Sequence, residues 1–215
     1  MTYLQLVNDV LTRLRESTVS TVGETAYSAL IGKFVNDAKR QIEDSYTWNA
    51  LAATITITTT AGVSSYALTG AGQKFRILDA VNQTSLIGLM NIPFVDMNRK
   101  LLFTPSAQSI PSEFCFNGVS SGGDTKIDLF PVPSGVFTLI FETVVPQADL
   151  TADGTSVKVF DYLVAQSAYA RALIERGEDG GTASSEAYAL FRGMLSDAIA
   201  TESTRYPEES MFEAV

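Results

Sequence analysis

Thr54-Ile55-Thr56-Ile57-Thr58-Thr59-Thr60 is the stretch on which the fold turns. Apolar and polar residues alternate with period two and every residue is β-branched, which suits a half-buried strand. The chain before it follows a different period. Leu4, Val7, Leu11 and Leu14 lie at i, i+3, i+7 and i+10, one stripe of an amphipathic helix. Thr2, with Gln5 three positions on, has the form of a capping box. A second helix is predicted over residues 28–46, with Ile31, Phe34, Val35, Ala38 and Ile42 as its apolar face and Lys39–Glu43 as an exposed i,i+4 pair. Ser17–Val22, β-branched and polar, reads as an extended connection between the two helices.

After Thr60 the strand pattern continues. Further strands are predicted at 65–68, 75–82, 86–89, 112–117, 125–130 and 136–144. Phe114 and Phe116 share one face of their strand, and Ile127 and Leu129 share a face of theirs. Gly-rich breaks at 69–72, 120–124 and 134–135 separate the strands, and such close succession argues antiparallel pairing. Residues 91–103 are ambiguous, with a short helical turn after Pro93 as one reading. Helical spacing then returns. Phe160, Leu163, Val164, Ala168, Arg171 and Ala172 make one pattern, in which Ala165, Ala168, Ala170 and Ala172 allow close helix approach. Glu178-Asp179-Gly180-Gly181 breaks it, and Thr182 reads as the N-cap of a last helix carrying Ala183, Ala187, Leu190, Phe191, Met194, Leu195 and Ala198.

One helical pair cannot close a core by itself. The economical reading is an α+β chain, with a four-helix bundle built from the N- and C-terminal helix pairs and an inserted antiparallel β domain. The expected boundaries are 1–50 for the first half of the bundle, 51–146 for the β domain, 147–205 for the second half, and 206–215 for a C-terminal docking arm. The single Trp48 closes the second helix and reads as an anchor between subdomains. In the arm, Tyr206, Met211 and Phe212 follow or flank Pro207 among three acids, and the segment either docks on a neighbouring subunit or is a disordered terminus.

Composition removes several function classes. The 215 residues hold no His and one Cys, so a His-based triad, a His-ligated metal and a Cys-cluster zinc site are all impossible. Twenty-four acids against fifteen bases give a net charge of −9, which argues against sequence-independent binding to phosphate backbones. The charge is uneven: residues 147–215 hold five bases and twelve acids, a net of −7. Residues 1–9 lack the basic and apolar regions of a signal peptide, and no apolar run is long enough for a membrane span.

No catalytic constellation emerges. Gly70-Ala71-Gly72 and Gly122-Gly123 precede no helix pattern and read as hairpin turns. Asp124–Asp128 lacks the glycine and final glutamate of a calcium loop and reads as a surface turn. Glu43 and Asp44, adjacent on a helix, point apart. Glu24 is a lone acid. Glu175, Glu178 and Asp179 crowd a helix C-terminus against its dipole, with Arg171 and Arg176 available to offset them. Cys115, with no His to activate it, reads as a packing residue. The reading is therefore of a chain with no catalytic residues, no metal and no cofactor.

Several stretches together carry a resemblance: Leu6-Val7-Asn8-Asp9-Val10-Leu11, the extended segment Ser17–Val22, the helix end Ile42-Glu43-Asp44-Ser45-Tyr46-Thr47-Trp48-Asn49, the segment Ile127–Gly135, and Glu175–Gly181 before the last helix. In this order they resemble the head-to-tail adaptors of tailed bacteriophages, of the kind called tail tubular protein A or head-completion protein. The resemblance implies a structural virion protein of the neck or tail, assembled in the host cytoplasm, forming a ring of twelve copies beneath the portal protein. It further implies that helical bundles grip the portal, that the C-terminal arm runs along it, and that the β block faces the tail nozzle, the tail tube or tail fibres. Genomic DNA would pass through the ring without sequence-specific binding, and no membrane would be involved. The acidic last third would line the channel and repel phosphate. Two alternatives stand beside this reading. One is a peptidoglycan-degrading virion enzyme, with Glu24 or Glu178 the first acid to change. The other is a glycan- or receptor-binding tail module using the β block.

Overall fold

A computed structural model describes residues 1–104, 108–177 and 181–205. The described residues form an α+β fold with five α-helices and mostly antiparallel sheets. The chain divides into two compact units. One is Met1–Leu51 with the described residues from Gln147 onward, and the other is Ala52–Pro146.

The helical unit holds α1 (Tyr3–Arg13), α2 (Ala26–Ser45), α4 (Asp161–Arg176) and α5 (Thr182–Ser203). The capping box at Thr2 is present: its hydroxyl accepts from the Gln5 N–H, and the Gln5 side chain accepts from the Thr2 N–H. A second box, formed by Thr25 and Ser28, starts α2 two residues before the predicted position. The helix ends at Ser45, so Trp48 lies beyond it and not on its last turn. α1, α2 and α4 pack against one another, and α5 lies along α4. α4 is the central element. Ala165, Ala168, Ala170 and Ala172 are all buried, together with Leu163 and Val164, as befits a helix apolar around most of its circumference. α5 is less covered: Ala187, Phe191 and Ala198 are buried, but Leu190, predicted on the same stripe, is 58% exposed. Gly181 precedes α5 in the left-handed region and is its N-cap, which makes Thr182 the first helical residue and not the cap.

Gly32 of α2 packs closely against the side chains of Tyr3 and Val22. A Cβ there would stand 2.4 Å from the Tyr3 hydroxyl and 2.8 Å from a Val22 methyl. Tyr3 and Val22 are both buried, so neither can swing away freely. Gly32→Ala should therefore destabilise the protein. The overpacking penalty of about 1–3 kcal/mol outweighs the gain of up to about 1 kcal/mol for alanine in a helix interior. Urea denaturation checks the sign, and a stabilised variant would refute the packing.

The second unit consists of β1 (Ala52–Thr58), β2 (Ser65–Ala67), β3 (Arg76–Asn82), β4 (Ile87–Gly88), β5 (Met90–Asn91), α3 (Phe94–Phe103), β6 (Gln108–Ser109), β7 (Glu113–Val119), β8 (Thr125–Phe130), β9 (Val132–Pro133) and β10 (Thr138–Val144). One sheet has the order β1-β10-β3-β4, a second β2-β8-β7-β5, and β6 pairs with β9. The short turns do give antiparallel neighbours, but β5–β7 and β6–β9 are parallel, each over two residues. A parallel pair requires a crossover, and α3 with the chain after it supplies the one between β5 and β7. The ambiguous stretch thus contains a ten-residue helix, longer than a single turn. Ile55, Ile57, Ala80, Leu139 and Phe141 of the first sheet share one core with Phe114, Ile127 and Leu129 of the second. β1 pairs with β10 from Ala52↔Val144 to Thr58↔Thr138, so the first and last strands of the unit lie side by side.

Candidate functional site

The polar side chains of the helical unit grip extended segments of backbone. In α1, the Asn8 amide donates to the Val19 carbonyl and its oxygen accepts from the Val19 N–H, both at 2.9 Å. This two-point clasp holds the chain after α1, whose residues 16–19 have no regular structure and whose residues 20–23 bend and turn into α2, where an extended connection was expected. α2 repeats the device on a larger scale. Asn36 donates to the Leu150 carbonyl at 3.0 Å and accepts from its N–H at 2.8 Å. One turn on, Arg40 pairs with Asp149. Further along, Lys39 Nζ donates to the Gln147 carbonyl at 2.5 Å, and Glu43 accepts from the Gln147 N–H at 3.2 Å.

Lys39 and Glu43 also pair with each other, Nζ to Oε2 at 3.2 Å. Both are buried, at 0% and 5% exposure, which overturns their expected place on the surface. Their positions follow from the stripe Ile31, Val35, Ala38 and Ile42, into whose width residues 39 and 43 also fall. Burial raises the Glu43 carboxyl above its ordinary pKa, against the opposing pull of Lys39 and its hydrogen bonds. A carboxylate engaged by an ammonium and a backbone N–H is a structural clasp, not a free acid for hydrolysis.

Trp48 is buried at 1% exposure, and its indole N–H donates to the Ile42 carbonyl at 2.6 Å. Its ring meets Tyr46 and Phe160 edge-on, each with centroids 5.5 Å apart. Beside it, Glu202 in the last turn of α5 is 1% exposed. It accepts from the Asn49 N–H at 2.8 Å and pairs with Arg205 at 3.2 Å. Trp48, Phe160, Lys158, Glu202 and Arg205 line a small cavity of about 60 Å³. Tyr206, Pro207, Met211 and Phe212, expected in the docking arm, lie outside the described residues.

The remaining candidates are placed as follows. The Glu24 carboxylate accepts from the Ser20 N–H at 2.6 Å. Glu178 and Asp179 lie outside the described residues. Among the described residues, Arg171 donates to Gln41, and Arg176 donates to Tyr27, to the Leu14 carbonyl and to Glu16. Cys115 is buried, and burial with the nearby Asp128 raises its thiol pKa, as for a packing residue. Asp124 does sit in a turn, where it accepts from the Gly70 and Gly72 N–H groups. Asp128 does not. It is 4% exposed on β8, accepts from Asn117 at 2.6 Å, and leaves its other oxygen without a hydrogen-bond partner.

Sequence reasoning missed the exposed apolar side chains. On α3, Phe94, Val95, Leu102 and Phe103 all face solvent, Phe103 at 81% exposure, while Met97 is fully buried and Lys100 pairs with Glu113. Leu86, at 88%, sits in a left-handed turn at φ 55°, a conformation a leucine seldom takes. Ile174, Tyr188 and Leu190 are exposed on the helices. The signal in the sequence was the apolar character of Phe94–Phe103 without a single helical stripe.

The sequence matches the family model described as SU10 adaptor protein over residues 1–210. The chain belongs to the SU10 adaptor protein family. It is accordingly a structural adaptor protein of a bacteriophage, a virion component that associates with other virion components. No curated protein matches the chain. The geometry of this SU10 adaptor suits such a role, with Asn8, Asn36, Lys39 and Glu43 engaged in holding backbone and a subset of its large apolar side chains turned outward. No helix among its described residues is long and apolar enough to cross a membrane.

Proposed function

We propose that this SU10 adaptor protein is a head-to-tail adaptor: a ring of twelve copies between the portal protein and the tail nozzle or tube that continues the DNA channel. The observation that carries the reading is the family match over nearly the whole chain. The exposed apolar side chains of both units support it. In this reading α1, α2, α4 and α5 form a four-helix bundle that is the body of the ring, with the β unit (51–146) as an inserted domain. Trp48 anchors the helical unit, the β unit meets the nozzle or tail fibres, and the arm at 206–215 docks Tyr206, Met211 and Phe212 on the portal.

The acidic channel lining takes a narrower form. Of the acids in the last third, Asp149 pairs with Arg40, Asp161 with the N-terminal ammonium and Glu202 with Arg205. Glu175, Glu186 and Asp197 are exposed and are the described residues available to repel phosphate.

The purified protein should be a monomer or a weak oligomer, and should form rings on its portal. Mixing the two should give a co-migrating complex in size-exclusion chromatography and rings in negative-stain images. Absence of both would end the proposal.

A further inference from the structure

Of the strands that end a sheet, β1 is the long one. β2, β4 and β5 have three, two and two residues, whereas β1 has seven. The Thr59 N–H donates to the Phe137 carbonyl at 2.9 Å, one position beyond the Thr58↔Thr138 pair. In an antiparallel ladder alternate residues face the partner, so residues 53, 55, 57 and 59 turn their main-chain groups toward β10. Thr54, Thr56 and Thr58 turn theirs the other way, where no strand pairs among the described residues. The next residue in that row, Thr60, donates its N–H to the Tyr66 hydroxyl at 2.8 Å. Tyr66 thus closes the row at one end, and the main-chain groups of the three successive threonines before it meet no partner among the described residues. All three are exposed.

Proteins usually protect such an edge with a lysine, a proline or a bulge. β1 has none. There is no charge and no proline between Ala52 and Thr60, and the register with β10 runs unbroken through seven pairs. The bulge in this sheet lies on the far side of β10, opposite β3.

We propose that the edge of β1 receives β1 of a second copy of this chain, antiparallel and about a two-fold axis at Thr56, before the protein is built into a particle. The strand complements itself. The axis sets Thr56 against its own copy and Thr54 against Thr58 of the second copy, all on the exposed face. It sets Ile55 against Ile57 of the second copy on the core face, so the apolar layer continues across the junction. The open N–H and C=O groups of the three threonines are then satisfied reciprocally. The nearest carboxylate, Glu142, accepts from the Thr54 hydroxyl and lies one strand in, on β10. The two copies of Glu142 stand three strand spacings apart and four residues out of level, more than about 14 Å, beyond the Debye length of about 8 Å at physiological salt. The chain's own C-terminal segment is a poor occupant, since Pro207, Glu208, Glu209 and Glu213 would bring a missing donor and three charges to a neutral edge. A two-fold pairing is closed and consumes the edge, which prevents open-ended strand addition.

This pairing concerns the free protein and stands independently of the adaptor ring. Sedimentation of the full-length chain across a concentration series should show a reversible monomer–dimer equilibrium. Thr56→Lys sets two ammonium groups directly opposite each other, on a face where one lysine disturbs nothing in the monomer. It should stay monomeric at every concentration with an unchanged circular dichroism spectrum. Thr56→Glu should do the same, and an equimolar mixture of the two should recover a dimer with one copy of each by native mass spectrometry. Independently of any variant, the amides of Thr54, Thr56 and Thr58 should exchange more slowly as wild-type concentration rises. A wild type monomeric throughout, association unaffected by Thr56→Lys, a mixture that fails to pair, or concentration-independent exchange at the three threonines would each overturn the proposal. Slowed exchange appearing only when another virion protein is added would assign the edge to that protein and overturn it as well.

Discussion

Lys39→Ala should cost about 3–5 kcal/mol of folding free energy, the range for breaking a buried ion pair by removing one partner. The substitution leaves the Glu43 carboxylate almost without exposure and without its ammonium, and leaves the Gln147 carbonyl without its 2.5 Å donor. Helix propensity does not account for such a loss, because alanine is the better helix former. Replacing both partners, Lys39→Met with Glu43→Leu, should be far milder, because no uncompensated charge stays behind. Chemical denaturation of the three proteins measures this, and a double variant as damaged as the single would show that the cost is one of packing alone. The pair also predicts a pH dependence. Burial raises the folded-state pKa of Glu43, so between its unfolded value near 4.5 and its folded value the native state holds the extra proton. The stability contribution is complete below the unfolded value and is lost as pH rises through the folded one. The stability of wild type minus that of Glu43→Gln should therefore fall with rising pH across that window. A flat difference would contradict the burial.

The second large effect is expected at Trp48. Trp48→Ala removes a fully buried indole, its 2.6 Å hydrogen bond to the Ile42 carbonyl and its edge contacts with Tyr46 and Phe160. Truncations of this kind cost about 3–5 kcal/mol. Trp48→Phe keeps the apolar bulk but not the N–H donor, and should lose distinctly less. Because this is the one tryptophan in the chain, its fluorescence reports unfolding of the helical unit specifically. Comparing it with circular dichroism in the β-sensitive range tests whether the two units unfold together. Should Trp48→Ala lose less than about 1 kcal/mol, the indole is not the anchor its burial indicates.

The periods in the sequence carried most of the architecture. The 3.6-residue stripes located four of the helices, and the Thr-Ile alternation located the change to β structure within two residues of where β1 begins. Boundaries moved where a cap decided them: Thr25 starts α2 early and Gly181 displaces Thr182. α3 escaped because its apolar residues make no single stripe: Met97 is buried, while Phe94, Val95, Leu102 and Phe103 face solvent. Lys39 and Glu43 were misplaced by residue type. The spacing put them beside Ala38 and Ile42, but an i,i+4 pair of opposite charges suggests a surface, and only the returning segment at Gln147 makes burial tolerable. That segment is over a hundred residues away in sequence, so no local pattern announces it. The partners of Arg171 and Arg176 among the described residues, Gln41, Tyr27 and Glu16, are likewise distant in sequence. The candidate arm is legible as a change of composition after Arg205.

The clasping of Gln147 and Leu150 by α2 has a consequence for the order in which the chain can fold. Residues 52–146 are continuous and contain their own core, so they are complete once synthesised. The helical unit is interrupted, and α1 and α2 wait for α4 to emerge before the surface they share can be covered. Joining two segments across a long loop carries an entropic cost that grows with the logarithm of its length. A β unit already folded, with Ala52 beside Val144, shortens that loop to a few residues on either side. The ribosome would then release the inserted part first, and that part would act as the template that brings the two helical halves within reach of each other.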